Sequence, residues 1–225
     1  MNFTYYGHSC FAVQTARHTL LFDPFISGNP LARDIDPHSL KADYVLVSHG
    51  HHDHLADAVV IANWTGATII AGYEVAQWLA KQSARHTHPI NHGSTLFDFG
   101  RLRFVAAVHS SSLPDGTYGG NPGGFVVETS EGNFYYSGDT ALTLDMKMIG
   151  DLSKLKFAAL CLGGNFTMDA TDAVVAAQYV GCDDIVGVHY DTFPPIKIDH
   201  AQATQKFQAA GKRLHLLKIG ESRKF

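Results

Sequence analysis

Charge is scarce in this sequence of 225 residues: Lys, Arg, Asp and Glu together make up 17%, below the usual quarter of a globular chain. The 17 basic residues are outnumbered by 21 acidic ones, which gives a net charge of −4 with His neutral. Lys and Arg come only as singles or close pairs, such as Arg101/Arg103 and Lys212-Arg213. That balance excludes an overall electrostatic grip on nucleic acid and leaves no polybasic stretch for a membrane surface. No apolar run approaches the roughly 20 residues of a spanning helix. The residues from Met1 to Val13 have no positive segment ahead of their apolar ones, so a signal peptide is not expected. Three cysteines, Cys10, Cys161 and Cys182, cannot build a disulfide framework, and the odd count suits a reducing, cytoplasmic setting. Gly-x-Ser-x-Gly elbows and Walker-type loops are absent, and Gly119–Gly124 reads as a turn-rich loop rather than a nucleotide fingerprint. Ser9-Cys10 lies between apolar residues, so neither side chain reads as a nucleophile.

What is present is an ordinary hydrophobic share of 45%, enough for a well-buried core and against disorder. The length, with no repeat or linker-like run, predicts one domain over residues 1–225. Strands are expected at Asn2–Gly7, Ser9–Thr15, His18–Phe22, Tyr44–Val47, Thr68–Ala71, Thr95–Phe99, Arg101–Val108, Gly124–Thr129, Asn133–Tyr136, Asp184–Val188 and Leu214–Ile219. Helices are expected near Asp57–Trp64 and Glu74–Ser83. Two more have clear punctuation: Asp169 caps a run to Val180 ahead of Gly181, and Asp199 caps a run to Ala210 ahead of Gly211. Strands, helices, strands and then alternating units predict a layered α/β fold with helices outside two sheets.

Histidine is the residue in excess, with 14 copies, and several stand where strands end. Asp43–Ser48 runs into His49-Gly50-His51-His52-Asp53-His54, Leu102–Val108 into His109, and Asn133–Gly138 into Asp139. Leu155–Leu162 runs into Gly163-Gly164-Asn165, and Asp183–Val188 into His189. If these are neighbouring strands, their ends converge on one edge, where α/β folds commonly place their sites. Imidazoles and a carboxylate packed into residues 49–54 are costly to bury and need a partner. His49 and His51, two apart in a tight loop, can aim two nitrogens at one cation, and Asp53 and His54 can aim at a second position. His52 points elsewhere in that arrangement. One ion needs three or four ligands, and here there are enough for two.

His49-x-His51-x-Asp53-His54, followed by His109, Asp139 and His189, resembles the metal-binding pattern of the metallo-β-lactamase superfamily over nearly the whole chain. Gly7-His8-Ser9-Cys10-Phe11, Asp23-Pro24-Phe25, Phe166-Thr167-Met168 and His189–Pro194 narrow the likeness. Together they resemble a branch of bacterial metal-dependent hydrolases related to L-ascorbate-6-phosphate lactonase. The resemblance implies a four-layer αββα sandwich with a two-metal site. In that pattern His49, His51 and His109 hold one metal, Asp53, His54 and His189 the second, and Asp139 bridges them. Asp23 is expected to orient a ligand histidine. His8 reads as a substrate contact or proton shuttle, or equally as a buried hydrogen-bonded histidine, and Thr167 as a further candidate contact. Asp191 stands where relatives are expected to carry an amide.

The implied chemistry is hydrolysis by a metal-bridging hydroxide, with Asp53 orienting it and taking its proton. Small lactones, esters, amides and phosphoesters are the expected substrates. Nitrogen and carboxylate ligands without thiolate suit zinc first, and also manganese, iron, cobalt or nickel. A nuclease or phosphodiesterase is the alternative, disfavoured by the acidic balance, and an iron-dependent dioxygenase is another, since its ligand types overlap these. A homo-oligomer stays open, because no interface is readable here. The loops Phe25–Asp36 and Ser110–Gly123 are expected to wall the site, with Tyr118, Arg33 and Lys197 as weak candidates for substrate contacts.

Overall fold

Alternation in Asn2–Gly7 (β1) buries Phe3, Tyr5 and Gly7 and leaves the residues between them half-buried, the signature of a strand covered mainly on one face. The computed structural model describes residues 1–225, which fold as two units. The first comprises Met1–Gly93, Ser110–Pro122 and Lys218–Phe225; the second comprises Ser94–His109 and Gly123–Leu217. No helix is long and apolar enough to cross a membrane.

In the first unit β1 is followed by β2 (Cys10–Gln14), β3 (Thr19–Phe22), β4 (Tyr44–Val47), β5 (Thr68–Gly72), β6 (Thr87–Ile90) and the C-terminal β14 (Ser222–Lys224). They form a seven-stranded sheet in the order β14-β1-β2-β3-β4-β5-β6, antiparallel from β14 to β3 and parallel from β3 to β6. β4 and β5 are short apolar runs, buried on both faces, as central parallel strands are. On one face the helices α2 (Ala58–Thr65) and α3 (Tyr73–Lys81) bring Ile61, Val75 and Leu79 into a cluster with Val45, Val47, Ile69 and Ala71. Across β1, β2 and β3, Phe11 stacks between Phe3 and Phe22, each at 4.6 Å between ring centroids.

The second unit holds β7 (Gly93–Phe97), β8 (Gly100–Ala106), β9 (Gly123–Thr129), β10 (Gly132–Tyr136), β11 (Leu155–Cys161), β12 (Asp184–Val188) and β13 (Arg213–His215). Their order is β13-β12-β11-β10-β9-β8-β7, parallel from β10 to β13 and antiparallel across β8, β9 and β10. Its helices are α4 (Met146–Leu152), α5 (Ala170–Tyr179) and α6 (His200–Ala209). Asp169 caps α5 by accepting the Thr171 and Asp172 N–H groups, and Asp199 caps α6 through Gln202 N–H, as the sequence predicts. Gly181 and Gly211 follow with left-handed φ of 64° and 71°, the conformation that ends a helix most cheaply on glycine.

The α/β class with two mixed sheets and flanking helices is as expected, and four differences have physical reasons. Residues 49–54 are not all loop, because a single helical turn, α1 (His52–Leu55), starts behind His51. The strand expected at Thr95–Phe99 sits two residues earlier, since Asp98-Phe99 turn into β8 at Gly100, whose φ of 134° suits glycine. Leu214–Ile219 keeps only β13, because the chain leaves the sheet of the second unit before rejoining the first at Lys218. Three sheet strands or α-helices went unpredicted: β6, an edge strand that tolerates Pro89; β14, an exposed three-residue edge strand without an apolar residue; and α4, which leaves Met148 and Leu152 exposed and so has little amphipathic signal.

Candidate metal centre

The five strand ends belong to two sheets. In the first sheet, β1, β3 and β4 all run the same way, so their C-terminal ends put His8, Asp23 and His49 on one edge. In the second sheet β8, β10, β11 and β12 share a direction, and their ends lead to His109, Asp139, Gly163 and His189.

In the first unit the hydrogen bonds assign protons. Asp23 is fully buried, and its Oδ1 accepts the Ser48 N–H at 2.7 Å while Oδ2 accepts the Ser48 hydroxyl at 2.6 Å. His54 Nδ1 is 2.7 Å from the same Oδ2. A carboxylate only accepts, so His54 carries its proton on Nδ1 and turns a lone pair outward at Nε2. Ser48 has spent its one proton on Asp23, so its oxygen accepts from His49 Nδ1, 2.9 Å away, and His49 also keeps a lone pair at Nε2. That Nε2 is 2.9 Å from His51 Nδ1, while the Ser110 hydroxyl is 3.2 Å from His51 Nε2. Asp23, His49 and His54 stand close enough for their donor atoms to fall within 4.8 Å of one another. His52 is exposed and edge-on to Phe25.

His8 is buried, with Nε2 3.0 Å from Asp53 Oδ2, and Asp53 Oδ2 is 3.9 Å from His54 Nε2. His8 and Asp23 hold positive φ of 55° and 39°, a conformation that costs a non-glycine residue roughly 1–2 kcal/mol and recurs at functional sites. The walls are stiffened from within the unit. Buried Asp57 accepts the Ile26 and Ser27 N–H groups and the Ser27 hydroxyl. Ser111 Oγ accepts the Gly50 N–H and donates to Gly119 O, both at 3.0 Å. Trp78 Nε1–H donates to Asp115 at the loop tip at 2.7 Å.

In the second unit one oxygen draws in two imidazoles: Asp139 Oδ2 is 2.9 Å from His189 Nε2 and 3.6 Å from His109 Nε2. Thr140 Oγ1 accepts the Val108 N–H, tying the two loops together. A Cβ at Gly163 would collide with the His189 carbonyl, so this position needs glycine for the loops to meet. Asn165, His189 and Asp191 take φ of 56°, 54° and 63°. Asp191 spends Oδ1 on Ile198 N–H at 3.0 Å within its own loop and Oδ2 on His200 Nε2 at 2.6 Å at the start of α6. Thr167 is half-buried and its hydroxyl donates to Met168 O. Burial, with the Asp139 charge added, pushes the Cys161 thiol up to about 11, so no thiolate joins the nitrogen and carboxylate donors.

Sequence reasoning missed Ser48, Ser110, Ser111 and Asp57. The one local signal was a polar Ser48 closing an apolar strand; the others act across distances in sequence that no pattern shows. The donor set fits divalent cations on one observation. His49 Nδ1, His51 Nε2 and His54 Nδ1 are each held by an oxygen, which is how metal-binding imidazoles are held.

Residues 18–190 match the family model described as a beta-lactamase superfamily domain. The chain is 50% identical over 223 residues to a UPF0173 metal-dependent hydrolase of Flavobacterium johnsoniae, covering 99% of each. A metal-dependent hydrolase of the same designation from Methylacidiphilum infernorum is 49% identical, again over 99% of each chain. Among solved structures, Igni18, a metallo hydrolase of the archaeon Ignicoccus hospitalis, superimposes with a TM-score of 0.89 at 31% identity, covering 100% of this chain and 98% of that one.

Proposed function

The chain belongs to the beta-lactamase superfamily and is a metal-dependent hydrolase, and on that premise we infer that it is a binuclear enzyme acting on a small lactone, ester, amide or phosphoester. Residues 1–225 then form one catalytic domain with an αββα arrangement. His49, His51 and His109 hold one divalent ion, Asp53, His54 and His189 hold the other, and Asp139 is shared. Nitrogen and oxygen donors suit zinc first, with manganese, iron, cobalt and nickel as competitors. When bound, the ions supply a hydroxide at neutral pH and polarise the scissile carbonyl or phosphoryl oxygen.

The chain's own residues do the rest. Asp23 and Ser48 hold the tautomers of His54 and His49, and Ser110 steadies His51. Asp53 receives a proton at its carboxylate, which His8 keeps aimed through the 3.0 Å contact at Nε2. The loops at Phe25–Asp36 and Ser110–Gly123 select what enters. Three buried, unbridged thiols suit a cytoplasmic enzyme, and the acidic balance suits a small metabolite better than nucleic acid.

The observation that carries the reading is that His49 Nδ1, His54 Nδ1 and His51 Nε2 are held by Ser48, Asp23 and Ser110. Metal analysis of protein purified without added metal tests it, with about two zinc or manganese ions per chain expected from the ligand count. Close to one iron per chain together with oxygen uptake would move the reading to a dioxygenase. His51→Ala is expected to lose metal and nearly all hydrolysis while the fold survives, and His52→Ala to change little. Equal metal loss in both variants would show that the wrong histidines are assigned.

A further inference from the structure

The first unit has a concave feature at the end of its sheet away from His8, Asp23 and His49. β3 and β4 run parallel. Their C-terminal ends lead to Asp23 and Ser48, while their N-terminal ends open on a cleft of about 430 Å³ lined by residues that include His38, Ser39, Lys41, Asp43, Trp64 and Thr65. That volume lies within the range of small-ligand clefts.

Trp64, near the end of α2, is 65% exposed, a large apolar ring standing in water beside the cleft. His38 meets it edge-on at 5.0 Å and is itself held by Asp36, 3.1 Å from its Nδ1. An indole this exposed at a concavity is a ready platform for a ring-shaped partner. The polar groups beside it are balanced in charge. Lys41 and Asp43 contribute one of each sign, so neither an anion nor a cation is favoured. Asp43 is pre-positioned: its Oδ2 accepts the Thr19 N–H at 2.7 Å, and its main chain bonds to Thr19 and Thr68. Lys41 offers only donors and the Asp43 carboxylate only acceptors. A neutral ring with adjacent hydroxyls satisfies both, one hydroxyl donating to Asp43 and its neighbour accepting from Lys41, while the C–H face lies on Trp64.

We propose that this cleft binds a sugar ring, at a site separate from the histidine cluster. The metal reading can fail without touching this one. The test is a titration of the full chain with glucose, galactose, N-acetylglucosamine and maltose, each to tens of millimolar. Nitrogen–proton NMR follows the two tryptophan indole N–H signals, assigned with Trp64→Phe. At least one sugar is expected to shift the Trp64 signal saturably, with a Kd on the order of 1–10 mM, and to leave the Trp78 signal in place. Saturation-transfer signals on the sugar are expected to weaken at least about tenfold in Trp64→Ala and in Lys41→Ala, a loss of about 1.4 kcal/mol. Both side chains are exposed, so unchanged melting temperatures will show intact folds. The proposal is overturned if no sugar gives saturable shifts, or if Trp64→Ala binds as well as the parent. It is equally overturned if the Trp64 signal moves with protein concentration alone, which marks self-association, or answers only to an anion such as adenosine monophosphate.

Discussion

Replacing Asp23 by Asn is the sharpest test of the proton assignments around the histidine loop. The two side chains are nearly isosteric, so packing around this fully buried position is preserved. The amide oxygen can still accept the Ser48 N–H. Its NH2 group, however, would face His54 Nδ1 and the Ser48 hydroxyl, which lie 2.7 Å and 2.6 Å from the native Oδ2. Donor would then meet donor. Relief requires His54 to move its proton to Nε2, and Ser48 to turn its hydroxyl toward His49, which moves that proton to Nε2 as well. Both imidazoles would present N–H where a metal needs a lone pair. Loss of one such supporting contact typically costs 10–100-fold in metal affinity; with two ligands affected the expected loss is about 100-fold, or roughly 2.7 kcal/mol.

The assay is competition for zinc against a chromophoric chelator, with thermal melts of the metal-free and zinc-loaded protein alongside. Ser48→Ala, which disturbs His49 alone, is expected to lose about tenfold. The double variant is expected to be little worse than Asp23→Asn, because both changes act on one network. A folded Asp23→Asn protein that binds zinc like the parent would refute the tautomer relay, and fully additive losses would show that Ser48 acts independently of Asp23.

Phe11→Ala removes the middle ring of the Phe3–Phe11–Phe22 stack and is expected to cost about 3–5 kcal/mol in urea unfolding; a loss under about 1 kcal/mol would mean that the stack collapses to fill the gap. Burial raises the Cys10 thiol well above its ordinary range and holds Cys161 and Cys182 at about 11, so native protein at pH 8 should resist alkylation by iodoacetamide, and rapid labelling of any cysteine before unfolding would contradict this. The Arg213 guanidinium, paired in two contacts of 2.8 and 2.6 Å, and then His215, hold the Asp184 carboxyl down at about 2. The folded chain thus keeps this charge to lower pH than the unfolded chain, with its ordinary value of about 3.9, so the pair's contribution is complete above about pH 5 and is lost as pH falls from about 4 through 2. Because Arg213 is 59% exposed, the contribution is about 1 kcal/mol after solvent screening, and an Asp184→Asn deficit that stays constant between pH 7 and about 2.5 would reject it.

Much of this protein was legible from local pattern. β1, β4 and β12 stand where alternation or apolar runs put them, and Asp169 and Asp199 cap the helices they were expected to cap. These features depend on residues within a few positions of each other, and so does the crowding of imidazoles at 49–54. Tertiary structure decided how the strand ends are shared between two sheets, since apolar runs of similar length carry no label of the sheet they will join. It also decided the partners of the histidines. The hydroxyl of Ser48 reaches back 25 residues to Asp23, and Ser110 lies 59 residues from His51. Asp191, by contrast, is spent on His200, nine residues on at the start of α6. A hydrogen bond is set by distances of a few ångströms in space, and sequence spacing reports those distances only inside one element. The residue types at the site were therefore readable from the chain, while the proton on each imidazole depended on the fold.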